Sequence, residues 1–289
     1  MSVRLSSSIK ALIAGPNNIG SALPSPGKAV SDKLFGRLSS KASAAGLAED
    51  AWIVMTTAAL VTVNSPATLC ELYSYAAPEG ESVSARTQTA AIMRETGIKC
   101  IGFSGIPRTI NALGALRAHL PEDVKSGLSS EPLRRATPDN VVAADARGKA
   151  LWDNIYQPYS DKLLAKLAKS HPDLPVHILH AHYGHMFADP LTTFPAGHAK
   201  VGRILTSVVA MSCLKAQQGV GPQLTSHVYG LKKSLQEGSG AEKEERLQGQ
   251  EWLGSDEGIE WILRSVEDVC ATVNPGWGRL AEGQVKAKL

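Results

Sequence analysis

No two of the four cysteines, Cys70, Cys100, Cys213 and Cys270, are close neighbours in this chain, and none belongs to a CxxC pair or a metal-ligand spacing. Isolated cysteines of an intracellular protein behave as small buried hydrophobes, and these four read that way. Long apolar runs are missing as well. The longest, Ala51 to Val63, is too short to cross a bilayer and is interrupted by Thr56 and Thr57. The net charge is only +3, with basic residues scattered among acids, which argues against nucleic acid or a membrane surface as a partner. There is no glycine-rich phosphate loop, and no serine stands in a nucleophile-elbow context, so the common nucleotide-binding and serine-hydrolase readings fail. Strand-like alternation is nearly absent.

What the chain does have is helical periodicity. Val201, Ile204, Leu205, Val208 and Met211 recur at intervals of three and four, as do Ile259, Ile262, Leu263, Val266, Val269 and Val273. The second run carries Arg264, Glu267 and Asp268 on its other face and has Ser255 and Asp256 available as caps. Further helices are predicted at Ala51–Val63, Ala67–Tyr75, Ala85–Ile98, Thr109–Leu120 and Ser160–Lys169, the last with Ser160 as its cap. The expected class is all-α, and 289 residues that are 43% hydrophobic suffice for one large domain or two ordinary ones. Ser129–Gly148, with Pro132 and Pro138, and His171–Gly197, with four prolines, read as connections, and Gln236–Gln250 as a solvated charged loop.

Both termini suggest an address. Residues 1–31 contain no acid, carry Arg4, Lys10 and Lys28 and are rich in serine, as a mitochondrial transit segment would be. Pro16, Pro24 and Pro26 leave little room there for a long amphipathic helix, so a structured arm over residues 1–44 is the preferred reading. Ala287-Lys288-Leu289 differs only by Ala for Ser from the Ser-Lys-Leu tripeptide bound by the peroxisomal import receptor. The expected location is the peroxisome, with the mitochondrion as the alternative, and the expected partner is that receptor.

Phe103-Ser104-Gly105-Ile106-Pro107, followed by Asn111-Ala112-Leu113, resembles the aromatic-x-Gly-x-Pro turn and helix of the carboxymuconolactone decarboxylase and alkylhydroperoxidase-D-like superfamily. The motif has a physical basis: Gly105 permits a tight turn, and Pro107 sits in the first helical turn without wasting a donor. Glu95 stands eight positions before Phe103, where the family usually has a glutamate. Gly221-Pro222-Gln223-Leu224-Thr225-Ser226-His227 is similar to the family's Pro-x-Leu-x-x-His helix start. Aligning Pro66 with Pro222 puts Glu71 in place of that histidine; aligning the leucines puts Leu72 there. The resemblance covers roughly residues 45–120 and 198–275 and implies two helical repeats, 45–128 and 198–289, joined through 129–197. It also implies self-association, since family helices present apolar faces that one subunit cannot cover.

Two departures shape the functional expectation. Val220 and Gln223 stand where peroxidase members carry CxxC, so a vicinal thiol-disulfide cycle is not available. The family's upstream proton-shuttling glutamate is also missing, Ile53 and the Val201–Val208 stretch being apolar there. The resemblance then implies acid-base chemistry on a small organic acid or carbonyl compound, with a cofactor-dependent or cysteine-independent oxidoreductase and a non-catalytic scaffold as alternatives. His227 is the leading catalytic candidate, with a helix N-terminus to favour its neutral form and Glu95 to orient or reprotonate it. His177, His180, His182 and His185 lie within nine residues, with only Asp189 as a nearby carboxylate. No metal is expected there; the segment reads as a loop lining the pocket, where His182 could act and Tyr183 could present its phenol to a substrate.

Overall fold

The computed structural model describes residues 4–15, 22–190, 194–235 and 246–278. The Ala287-Lys288-Leu289 tripeptide and most of the charged loop expected at 236–250 lie outside them. Among the described residues the chain is helical and has no strand. In order come α1 (Ser7–Ile13), α2 (Lys28–Ala44), α3 (Glu49–Thr62), α4 (Pro66–Ala76), α5 (Val83–Ser104), α6 (Ile106–His119) and α7 (Glu122–Gly127). Then follow α8 (Val141–Tyr156), α9 (Ser160–Ser170), α10 (Asp173–His177), a π-helix π1 (Ile178–Phe187), α11 (Gly202–Gln217), α12 (Gly221–Ser234), α13 (Gln250–Leu253) and α14 (Asp256–Val273). No helix among the described residues is long and apolar enough to cross a membrane.

The apolar run at 51–63 becomes the centre of the core rather than one face of it. From Ala51 to Thr62 every residue of α3 is buried, so the helix is enclosed on all sides. Its threonines satisfy their hydroxyls on the helix's own turns, Thr56 Oγ1 donating to the Trp52 carbonyl at 2.7 Å and Thr62 Oγ1 to the Ala58 carbonyl at 2.8 Å. Around α3 pack α5, α11, α4, α14 and α2. The most regular helix, α14, is capped as its sequence suggests, the Ser255 hydroxyl accepting from the Gly258 amide.

Two helix starts follow the same local recipe. Asn64, at φ 59°, reverses the chain after α3 and Pro66 opens α4; Gln218, at φ 63°, does so after α11 and Pro222 sits in the first turn of α12. Gly105 adopts φ 84° between α5 and α6, a left-handed value that Cβ-bearing residues resist, with Pro107 in the turn that follows.

Three expectations need correction. Residues 173–187, expected to be loop, are helical, and 178–187 form a π-helix; α8 likewise begins at Val141, inside the expected 129–148 connection. Proline at these places opens helices instead of preventing them, Pro175 lying within the first turn of α10. Ser160 is the first residue of α9, not its cap; its hydroxyl bonds Asp153 of α8. Cys70 is only half-buried, whereas Cys100, Cys213 and Cys270 are fully buried as expected.

Lys99 of α5 is completely buried, and its ammonium is satisfied three times over: by Asp189 Oδ1 at 2.7 Å, the Phe187 carbonyl at 2.8 Å and Thr206 Oγ1 at 2.8 Å. Asp189 in turn accepts from the Gly202 amide at the start of α11. Removing one member of such a pair strands the other charge in the interior, at a cost of about 3–5 kcal/mol. Asp189→Ala should therefore lower the free energy of unfolding by that order, read as a lower urea midpoint, and adding Lys99→Met should recover much of the loss. An unchanged midpoint in Asp189→Ala would show that the pair does not hold these helices together.

Candidate functional site

The second apolar cluster of the protein, Trp152 and Ile155 of α8 with Tyr183 and Phe187 of π1, meets the main core at Phe103 near the end of α5. A Cβ on Gly102 would fall 2.3 Å from the Phe187 ring, so only glycine lets π1 settle here. Phe187 then stacks on Phe103, centroids 4.7 Å apart and planes 11° from parallel. His227 of α12 meets Phe103 edge-on at 5.6 Å. Trp152 lies against both tyrosines, its ring centroid 4.1 Å from Tyr156 and 5.0 Å from Tyr183.

Inside these walls runs a line of polar atoms. The Tyr183 hydroxyl is hydrogen-bonded to the Tyr156 hydroxyl at 3.0 Å, and the latter stands 3.5 Å from His227 Nε2. His227 Nδ1 and Trp152 Nε1 are buried with no hydrogen-bond partner among the described residues. A buried polar group usually finds a partner, in the protein or in water.

Electrostatics keep the line uncharged. Burial, and then the positive charge of Arg203, depress the His227 pKa from 6.5 to about 3. Burial holds the Tyr183 phenol well above its ordinary value and raises Tyr156 as well. The imidazole is therefore neutral over the physiological range, but not for the reason expected from sequence. His227 is the seventh residue of α12, well past the unpaired amides of the first turn, and desolvation does the work. Arg203 is itself buried and donates to Asn154 Oδ1 at 2.7 Å, to the Ser207 hydroxyl and to the Gly230 carbonyl at 3.0 Å, tying α11 to α8 and α12.

The expected site residues divide into two groups. His227 and Tyr183 come together, with Tyr156 between them. Glu95 does not join them: its carboxylate is clamped by both terminal nitrogens of Arg134, which lies in the connection before α8. Eight residues along α5 place Glu95 about 12 Å from Phe103 along the helix axis. His182 packs against His177, rings 5.0 Å apart, and burial lowers its pKa; it faces Phe187 at 6.1 Å and has no contact with His227 among those described. That pairing spans five residues, the i to i+5 interval of a π-helix, with His177 capping π1. Among the described residues no three His, Cys, Asp or Glu side chains converge as a metal site. His180 instead pairs with Asp145 of α8 at 2.5 Å.

Sequence reading missed Tyr156, Trp152 and Arg203. Arg203 carried a signal, a lone arginine inside the apolar 201–208 run. Tyr156 and Trp152 carried none, since no helix was expected over Val141–Tyr156. The fold also sets Cys100 Sγ and Cys213 Sγ 3.6 Å apart on α5 and α11, a contact that a separation of 113 residues hides.

No family model matches the chain, and no solved structure matches it. Peroxisomal protein 2 of Saccharomyces cerevisiae is 29% identical over 192 residues, covering 58% of this chain and 63% of that protein. The chain thus spans less than two thirds of the length of this relative.

The buried imidazole has a consequence for stability. Between pH about 3 and 6.5 the unfolded state binds a proton that the folded state refuses, so acidification through this window destabilises the fold. This residue alone contributes about 1.4 kcal/mol per pH unit to that slope. His227→Gln should flatten the plot of urea midpoint against pH within the window. An unaltered slope would mean that the folded ring takes protons as readily as the unfolded one.

Proposed function

We propose that this protein is a peroxisomal enzyme that moves a proton on a small organic acid or carbonyl compound, using His227 in the enclosed site formed with Tyr156 and Tyr183. The observation that carries the reading is His227 Nδ1, buried and without a protein partner at the end of a hydrogen-bonded tyrosine line. With the Nε2 proton directed at the Tyr156 oxygen, Nδ1 is a free lone pair. It can take a proton from the carbon next to a substrate carbonyl, the C–H electron pair moving into the carbonyl to give an enolate. The Tyr156 oxygen, 3.5 Å from Nε2, accepts the Nε2 proton and so fixes Nδ1 as the basic nitrogen.

A base with a pKa of about 3 is weak in the empty site. An anion against the ring changes that, because it offsets both desolvation and the Arg203 charge that depress the imidazole. The site therefore favours substrates that are, or become, anionic. Residence in the peroxisome is supported by the yeast relative's name and by the Ala287-Lys288-Leu289 tripeptide. The two-repeat organisation of the chain is supported by the matched turn-and-proline starts of α4 and α12.

The chemistry is tested by following exchange of substrate α-protons for deuterium by NMR, over a panel of small keto acids and carbonyl compounds. The wild type should exchange at least one of them, and His227→Gln should lose about 100-fold or more in rate while keeping its far-ultraviolet circular dichroism. Tyr156→Phe should retain the fold and lose a smaller factor. Equal rates in wild type and His227→Gln would remove His227 from the chemistry and favour a binding role.

The address is tested in yeast cells with a fluorescent protein fused ahead of residue 1. The fusion should coincide with a peroxisomal matrix marker and become cytosolic when residues 287–289 are deleted. Co-localisation with mitochondria, or peroxisomal signal that survives the deletion, would overturn the role given to the tripeptide.

A further inference from the structure

The Glu95–Arg134 pair borders a hollow of about 500 Å³ that the proton-transfer reading does not use. Its walls include Ile98 of α5, Leu113 of α6 and Leu133, while Arg94, Arg134 and His198 supply its polar rim. Two rim atoms are buried and have no hydrogen-bond partner among the described residues, Arg134 Nε and His198 Nε2. Arg134 directs its terminal nitrogens to Glu95 and the Met186 carbonyl, and its Nε–H is left without such a partner. A second hollow of about 380 Å³ shares Arg94 and Leu113 with the first, adds Arg117, and has no acid in its lining. Arg94 and Arg117 both donate to main-chain carbonyls, of Ser129 and Lys125. Across the two hollows four arginines face Glu95 and Glu131, and Glu95 is already taken.

We propose that these joined hollows are a binding site for a small amphipathic carboxylate, separate from the site around His227. The carboxylate would sit between Arg94, Arg134 Nε–H and His198, and the hydrocarbon would lie on Ile98, Leu113 and Leu133. The argument rests on three features together. The space exceeds what waters alone require, its lining includes apolar side chains, and two of its buried polar atoms have no hydrogen-bond partner among the described residues. A guanidinium fork suits the planar carboxylate, and an apolar body is needed to make use of the walls. Arg94 reinforces the sign: burial first, and then the Arg117 charge, lower its pKa, and an anion beside Arg94 offsets both.

The probes are butanoate, octanoate and 1-octanol, titrated calorimetrically into the full chain. Octanoate should bind, butanoate about tenfold or more weakly for want of buried methylenes, and 1-octanol should give no saturable heat. Leu133→Trp, which fills the hollow without touching the Arg134–Glu95 pair, should abolish octanoate binding. Arg94→Met should weaken it about tenfold. Should Leu133→Trp fail to fold, the partly exposed Arg94→Met change still reads the charge contact. His227→Gln should leave octanoate binding unchanged, which separates this site from the proton-transfer site whatever the fate of that reading. Equal binding of 1-octanol, indifference to both Leu133→Trp and Arg94→Met, loss of binding in His227→Gln, or no octanoate binding at all would each overturn the proposal.

Discussion

The ammonium of Lys99 is the point from which the rest of the site is positioned. A fully buried lysine must find acceptors for all three protons, and this one takes them from the end of π1, from Asp189 just after it and from α11. Asp189 then receives the amide at the start of α11, so one charge fixes where π1 stops and where α11 begins. Phe187 and Tyr183 on π1, and Arg203 one residue into α11, inherit their places from that contact. Arg203 passes the order on to α8 and α12 through Asn154 and Gly230, and with α8 come Trp152 and Tyr156, with α12 His227. The interaction is worth little as net stabilisation against an apolar alternative, but it admits few other arrangements of these four helices.

How much of this could be read from the chain depends on whether the relevant force was local. The helices at 51–63, 201–211 and 259–273 were legible because their apolar spacing is a property of consecutive residues, and Ser255 caps the last by a contact three residues long. His227 and Tyr183 were legible as chemically apt residue types. Their meeting was not, since it depends on Tyr156, supplied by a helix hidden in a proline-containing polar stretch. The π-helix defeated the reading for a related reason. Its spacing follows i to i+5, so a pattern judged against 3.6 residues per turn finds neither strand nor helix and defaults to loop. Glu95 was misjoined because the motif gives its distance along the chain but not its counterion, and Arg134 arrives from 39 residues away.

The two proline-started helices show how one local design can end in opposite roles. Counting from the prolines, Glu71 on α4 corresponds to His227 on α12. Each oxygen of Glu71 is engaged: Ser25 and Ser31, from the N-terminal arm and α2, each donate a hydroxyl to it at 2.6 Å. The carboxylate fastens the arm to α4. His227 is left with a nitrogen that meets no hydrogen-bond partner among the described residues. The asymmetry follows from what covers each position, hydroxyl donors in one case and the aromatic edge of Phe103 in the other, rather than from the helix that carries the residue.

An aromatic cover also explains why the site would need its ligand to become reactive. Phe103 and Tyr156 lie against the buried imidazole, and with exclusion of water goes the solvation that would stabilise its charged form. The same exclusion leaves any anion that enters with few competing partners, so its attraction for a protonated ring is far stronger than it would be at the surface. Burial therefore weakens His227 as a base and would strengthen an ion pair formed against it. On the proposed reading, proton transfer and binding are consequently one event: the imidazole gains its proton only in the company of the negative charge that transfer creates.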